Sequence, residues 1–228
     1  HHYDQVYPES VRTQIAQEIQ ICGPKLDRQT WQEHRDELRE AEVILGSWGM
    51  PLMDEAFLEA APNLKAVFYG AGSIKGFVTD AVWERGIIVT SAYAANAIPV
   101  ADFTLSQIIF SQKYGWHFAR QIRADGSFPK HKSDILSQAP GTFRSTVGIV
   151  SLGMIARRVC QLLQHFDFEV LAYDPFATEE QAAELGVKLC SLEELFARSG
   201  VVSLHTPLLP ETVGMITGSH FASMRPYS

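Results

Sequence analysis

The stretch 145–175 reads STVGIVSLGMIARRVCQLLQHFDFEVLAYDP. Val147, Ile149 and Val150 form a short β-branched apolar run, the signature of a buried parallel strand. A turn follows at Ser151-Leu152-Gly153. Ile155, Val159, Leu162, Leu163 and Phe166 then recur at the spacing of one helix face. Val170 to Tyr173 is a second apolar run, and it ends on Asp174. The order is strand, glycine turn, helix, strand, acid.

Each part of that order has a physical role in a dinucleotide-binding βαβ unit. The helix N-terminus offers unpaired N–H groups and the positive end of a dipole to a diphosphate. The fingerprint G-x-G-x-x-G/A asks for a residue suited to a tight turn, then one without a side chain where backbone meets phosphate. Its third position must be small, so that helix and strand approach closely. Ser151, Gly153 and Ala156 hold those positions, and Ser151 departs from the pattern because a Cβ at the turn is tolerated less easily than none. Asp174 follows Gly153 by about 20 residues, the offset of the acid that binds the adenosine ribose. Pro175 and Phe176 after it bring no cation for a 2′-phosphate, which points to NAD rather than NADP. The competing reading is a plain strand–helix packing turn.

Composition bounds the rest. The chain has 228 residues, enough for one large or two ordinary domains, with 46% hydrophobic and 20% charged residues. A net charge of −7 argues against a nucleic-acid surface, and no apolar run is long enough to span a membrane as a helix. Without a basic-then-apolar leader, and with Cys22, Cys160 and Cys190 odd in number and far apart, the expectation is a cytoplasmic protein with reduced, buried thiols and no metal site. The chain opens His1-His2 and stops soon after its last expected strand, so it reads as a segment of a longer protein.

Upstream, Val11, Ile15 and Ile19 stripe a first helix, and Ile19 to Cys22 is expected as a short strand closed by Gly23-Pro24. The charge-rich stretch from Arg28 to Glu42 reads as a solvated helix or loop. Strands are expected at Val43–Leu45, Leu64–Tyr69 and Ile87–Thr90, with helices at Met53–Ala61 and Val78–Arg85 between them. That alternation is an open parallel sheet with helices on its faces. Asn96 reads as the N-cap of a long helix with Pro99 in its first turn, and Ala119 to Gly141 as a loop or linker. Downstream, Thr178 with Gln181 and Ser191 with Glu194 read as capping boxes, and Val201 to Leu204 as a strand ending at His205-Thr206-Pro207. Ligands in such sheets bind beyond the carboxyl ends of strands, so the loops at Gly70–Ser73, Ser151–Met154, Asp174 and His205–Pro207 are the candidates.

Five motifs together resemble the D-isomer-specific 2-hydroxyacid dehydrogenases: GAGS at 70–73, NAIPVAD at 96–102, TVGIVSLGMIA at 146–156, YDP at 173–175 and SLHTPLLPET at 203–212. The resemblance implies a flavodoxin-like substrate domain over 1–100, lacking its opening strand, and a Rossmann-type NAD domain over 101–228, both open parallel α/β sheets. It implies an NAD-dependent oxidoreductase moving a hydride between nicotinamide and a small D-2-hydroxy or 2-keto acid, in a dimeric family. Carried over by position, Gly72 and Ser73 offer N–H groups to the substrate carboxylate, and Asn96 and Val100 lie near substrate and nicotinamide. Ser151, Gly153, Met154 and Ile155 line the diphosphate, Asp174 the adenosine ribose, and His205, Thr206, Pro207 and Thr212 the rest of the cofactor.

The family's carboxylate-clamping Arg, its proton-shuttling His and the Glu that orients that His all match positions after the segment aligned with Phe221 to Ser228, so no catalytic residue is expected within this chain. Departures from the family pattern are Ser151 for Gly, Asp102 for Glu, and Ile74-Lys75 where many members carry Asp-Asn. His205 as a catalytic base, Trp48 as a substrate contact and Asp102 as an acid are weighed against strand-end, packing and structural roles, which are preferred. Two other functions share these features: a non-catalytic NAD(H)-sensing corepressor-like module of the same fold, and a Rossmann methyltransferase.

Overall fold

The computed structural model describes residues 2–127, 137 and 141–225. Among the described residues, seven strands form two wholly parallel sheets: β1 (Val43–Gly46), β2 (Ala66–Tyr69) and β3 (Ile88–Ser91) in the order β1-β2-β3, and β4 (Thr146–Val150), β5 (Glu169–Tyr173), β6 (Lys188–Leu189) and β7 (Val201–Leu204) in the order β6-β5-β4-β7. Each sheet belongs to its own compact unit, and the chain passes from one unit to the other between Asn96 and Ala97.

In the first unit, α1 (His2–Val6), α2 (Glu9–Ile15), α3 (Arg35–Glu40), α4 (Glu55–Ala60) and α5 (Asp80–Glu84) accompany the sheet. Asp54 caps α4 by accepting from Phe57 N–H at 3.0 Å, which turns Phe57 and Leu58 into the core with Met53, Val67 and Val82. The strand expected at Ile19–Cys22 is absent: those residues pair with no ladder and Ile19 and Ile21 are exposed. The charge-rich 28–42 stretch instead holds a 3-10 turn at Trp31–His34 followed by α3, with Trp31 and Leu38 buried.

α6 (Tyr93–Gln112) crosses from the first unit into the second. It starts before Asn96, because the Ala-rich lead-in is already helical and Asn96 N–H bonds Ala92 O at 2.9 Å. Asn96 is therefore not an N-cap, and Pro99 lies inside the helix. Part of the expected loop at 119–141 is instead α7 (Gly115–Asp125), a helix with no buried residue that ends at the left-handed Gly126. Polar content hid it; most of the remaining stretch, 128–136 and 138–140, lies outside the described residues.

The second unit has helices on both faces of its sheet. Successive side chains of a strand point to opposite faces. Val147 and Ile149 pack with α6 and α8 (Met154–Leu163), through Ala101, Ile108, Val159 and Leu163. Val150 packs on the other side with Leu195 and Phe196 of α10 (Leu192–Arg198). Gly148 shares that second face: a Cβ there would lie 2.4 Å from Leu195 Cδ2 and 2.6 Å from Ser199 Oγ, so its bareness sets how closely α10 approaches the sheet. Burying Val147 and Ile149 completely contributes roughly 1.5–3 kcal/mol each. α9 (Glu179–Glu184) starts on a full Thr178–Gln181 capping box, and at α10 Ser191 Oγ accepts from Glu194 N–H. α11 (Gly218–Ser223) closes the described chain.

Candidate functional site

The carboxyl ends of β5, β4 and β7 lie side by side, because these strands are neighbours in one parallel sheet. At the end of β4, Ser151 takes φ +71° while its N–H donates to Tyr173 O at 2.7 Å. That left-handed conformation is the one for which the fingerprint's first position prefers glycine. Gly153 caps α8 with φ −71°, and a Cβ built on it would meet nothing within 4 Å. Neither backbone conformation nor internal packing requires a glycine there. Ala156 is fully buried between helix and sheet.

Asp174 is tied to this loop directly. Its Oδ2 accepts Leu152 N–H at 2.7 Å and lies 3.4 Å from Ser151 Oγ, while Oδ1 accepts Phe176 N–H at 2.8 Å. Each oxygen retains acceptor capacity for a further hydroxyl. Leu152 O accepts in turn from Arg157 Nε at 2.8 Å, which braces the turn from α8.

At the end of β7, His205 N–H donates to Val150 O at 2.9 Å, and its Nε2 lies 3.0 Å from Ser203 Oγ. Burial holds the His205 pKa below the ordinary imidazole value. Thr206 Oγ1 is buried without a hydrogen-bond partner among the described residues. Thr212 Oγ1 donates to Pro207 O at 2.7 Å and accepts from Leu209 N–H at 2.9 Å, so its hydroxyl holds the 207–212 turn.

In the first unit, Gly70 to Ser73 follow β2. A Cβ on Gly70 would lie 2.2 Å from Val6 Cγ1, and one on Gly72 would lie 3.1 Å from Asn96 Nδ2. The loop and Asn96 are thus adjacent. Val100, on the next turn of α6, is exposed. Among the described residues the N–H groups of Gly72 and Ser73 donate to no acceptor.

The NAD binding domain of the D-isomer specific 2-hydroxyacid dehydrogenases matches residues 114–228, just over half of the chain. The chain belongs to this family. It is 36% identical over 177 residues to D-3-phosphoglycerate dehydrogenase of Mycobacterium tuberculosis, covering 76% of this chain and 32% of that protein. The corresponding enzyme of Archaeoglobus fulgidus is 30% identical over 175 residues, with the same coverage. The chain spans about a third of the length of the curated relatives it matches. Among solved structures, Escherichia coli D-lactate dehydrogenase superposes with a TM-score of 0.69 at 23% identity, over 99% of this chain and 68% of that one. Aquifex aeolicus D-lactate dehydrogenase, solved with NAD and lactic acid, gives 0.65 at 27% identity, over 84% and 56%.

The residues at this 2-hydroxyacid dehydrogenase loop fit NAD. Gly153 leaves open space where a Cβ would stand, the buried Thr206 hydroxyl lacks a partner, and Asp174 is fixed beside both the turn and its own strand end. Phe176 beyond the acid is 91% exposed and carries no charge. Met154 opens α8 half-exposed, whereas Ile155 packs partly into the core and Pro207 is exposed. Elsewhere, the expectation of uniformly buried thiols is corrected. Cys160 is buried, which pushes its thiol up to about 12, but Cys22 is exposed and Cys190 only partly covered. Trp48, expected to pack, is 47% exposed. Asp102 on α6 lies 3.8 Å from Arg158 of α8, a structural ion pair. Among the described residues no His, Cys, Asp and Glu cluster could hold a metal, and no helix is long and apolar enough to cross a membrane.

Three features escaped sequence reasoning: the Leu152 N–H bond to Asp174, the Arg157 brace, and the contact of Ser91 Oγ with the Gly70–Ser73 loop. Only the offset between Gly153 and Asp174 gave any signal for the first.

Proposed function

We propose that the chain is part of an NAD-dependent oxidoreductase that transfers a hydride between nicotinamide and C2 of a small D-2-hydroxy or 2-keto acid. The observation that carries this is the direct bond from Asp174 to the main chain of the Gly153 turn, since it joins a diphosphate-accepting helix end to a ribose-accepting acid. When bound, NAD supplies the hydride acceptor or donor. In this reading, the N–H groups opening α8 hold the diphosphate, with Gly153 giving it room. Asp174 accepts the adenosine ribose hydroxyls, and the Thr206 hydroxyl, with Met154, Ile155, His205 and Pro207, flanks the remainder; Thr212 acts through its turn. The unpartnered N–H groups of Gly72 and Ser73 orient the substrate carboxylate, with Asn96 and Val100 beside substrate and nicotinamide.

Residues 1–100 then form a flavodoxin-like substrate domain and 101–228 the NAD domain of a cytoplasmic homodimer. On the resemblance, no residue of 1–228 matches the acid–base pair or the carboxylate-clamping Arg. Titration with NADH, followed by energy transfer from tryptophan, tests the cofactor site. Saturable binding that Asp174→Ala abolishes is the expected result. An unaltered affinity in that variant removes the observation on which the proposal stands.

A further inference from the structure

Ser91 is the last residue of β3, and its Oγ donates to Ala71 O at 2.9 Å and also reaches Gly72 O. One hydroxyl thus grips two consecutive carbonyls of the Gly70–Ser73 loop as a three-centre bond. In a trans peptide the C=O and the N–H of the following residue share a plane and point in opposite directions. Fixing Ala71 O therefore fixes Gly72 N–H, and fixing Gly72 O fixes Ser73 N–H, each aimed away from Ser91. Neither of these N–H groups has an acceptor among the described residues. On the flank, Asn96 Nδ2 lies 3.1 Å from where a Gly72 Cβ would stand, so the loop is held between β3 and α6. Two adjacent, outward N–H groups on a pinned turn form an anion-binding concavity.

We propose that Ser91 is the positioning residue for carboxylate recognition: by drawing back the carbonyls of Ala71 and Gly72 it presents the Gly72 and Ser73 N–H groups as a pre-set pair of donors. This rests on the substrate role given above to that loop. Ser91 touches no substrate itself. Without its hydroxyl the two peptide planes rotate more freely, and the carboxylate must order them on binding.

The test is a titration of the 15N-labelled full-length protein with pyruvate, read at the Gly72 and Ser73 amide signals. The expected result is a dissociation constant raised about threefold to tenfold in Ser91→Ala, the loss of one modest hydrogen bond. Ser91→Thr keeps the hydroxyl and restores binding to within about twofold. NADH affinity, which reads the other unit, stays unchanged in both, as a general folding defect would not allow. Should Ser91→Ala fail to fold, Ser91→Cys removes the strong donor at nearly constant shape and is read in the same way. Equal pyruvate affinity in wild type and in the hydroxyl-free variant overturns the role of Ser91 alone. A wild-type chain that binds NADH while its Gly72 and Ser73 signals ignore pyruvate overturns the carboxylate role of the loop, and that of Ser91 with it.

Discussion

At the end of β2 a Cβ on Gly70 would meet Val6 Cγ1 at 2.2 Å, whereas at the end of β4 a Cβ on Gly153 would meet nothing within 4 Å. The first glycine is required by the protein's own packing. The second is required neither by packing nor by its φ of −71°. In the β4 loop the strained position is Ser151, at φ +71°, where a glycine would have been easier. Two glycine turns at the ends of parallel strands therefore do different work. Gly153 has no internal reason to be bare, which is what the proposed diphosphate contact requires.

That contrast breaks most sharply at Gly70. Gly70→Ala forces a stiff β-branched neighbour to move and is expected to cost about 1–3 kcal/mol, seen as a lower midpoint in urea unfolding, with NADH affinity unchanged. A wild-type midpoint would show that α1 yields freely. Gly153→Ala is expected to do the opposite, weakening NADH about tenfold, or about 1.4 kcal/mol, at unaltered stability. If it lowers the unfolding midpoint and leaves NADH binding intact, the contrast between the two loops is lost. Ser151→Gly relieves a left-handed residue at the cost of a more flexible unfolded chain, and a net gain of about 0.5–1 kcal/mol is expected from chemical denaturation. A less stable variant would mean that the 3.4 Å contact of Ser151 Oγ with Asp174 outweighs the strain.

The smallest effect concerns His205. Burial lowers its pKa in the folded state, so the unfolded chain binds the proton more readily. Stability is full above the ordinary value of 6.5 and falls as pH drops towards the lowered folded value. His205→Gln should flatten the stability profile on the acid side of that value. A profile as steep as wild type would assign the acid sensitivity to other groups.

The βαβ unit was legible because its signals are local. The apolar run at 147–150, the helix face from Ile155 to Phe166 and the acid after Tyr173 each follow from short-range periodicity, and the structure places them as β4, α8 and the end of β5, with α8 ending at Leu163 and Phe166 exposed beyond it. Misjudged segments were those where polarity and periodicity disagree. α7 buries no residue fully and its Trp116, Phe118 and Ile122 are interleaved with charged residues, so it read as a polar loop, and Ile19–Cys22 has strand-like residues but no ladder partner. At α6, Asn96 and Pro99 looked like a start signal although the alanines before them were already helical.

Sequence alone determined the βαβ unit around Gly153, the parallel sheets that the strand–helix alternation implies, and the family whose motifs the chain carries, since these depend on residue type at short spacing. Tertiary structure decided which glycine answers to packing and which does not, that Asp174 grips the turn through Leu152, and that Ser91 holds the loop after β2. Those contacts join residues far apart in the chain, and the direction of a carbonyl or an N–H exists only once the strands have paired.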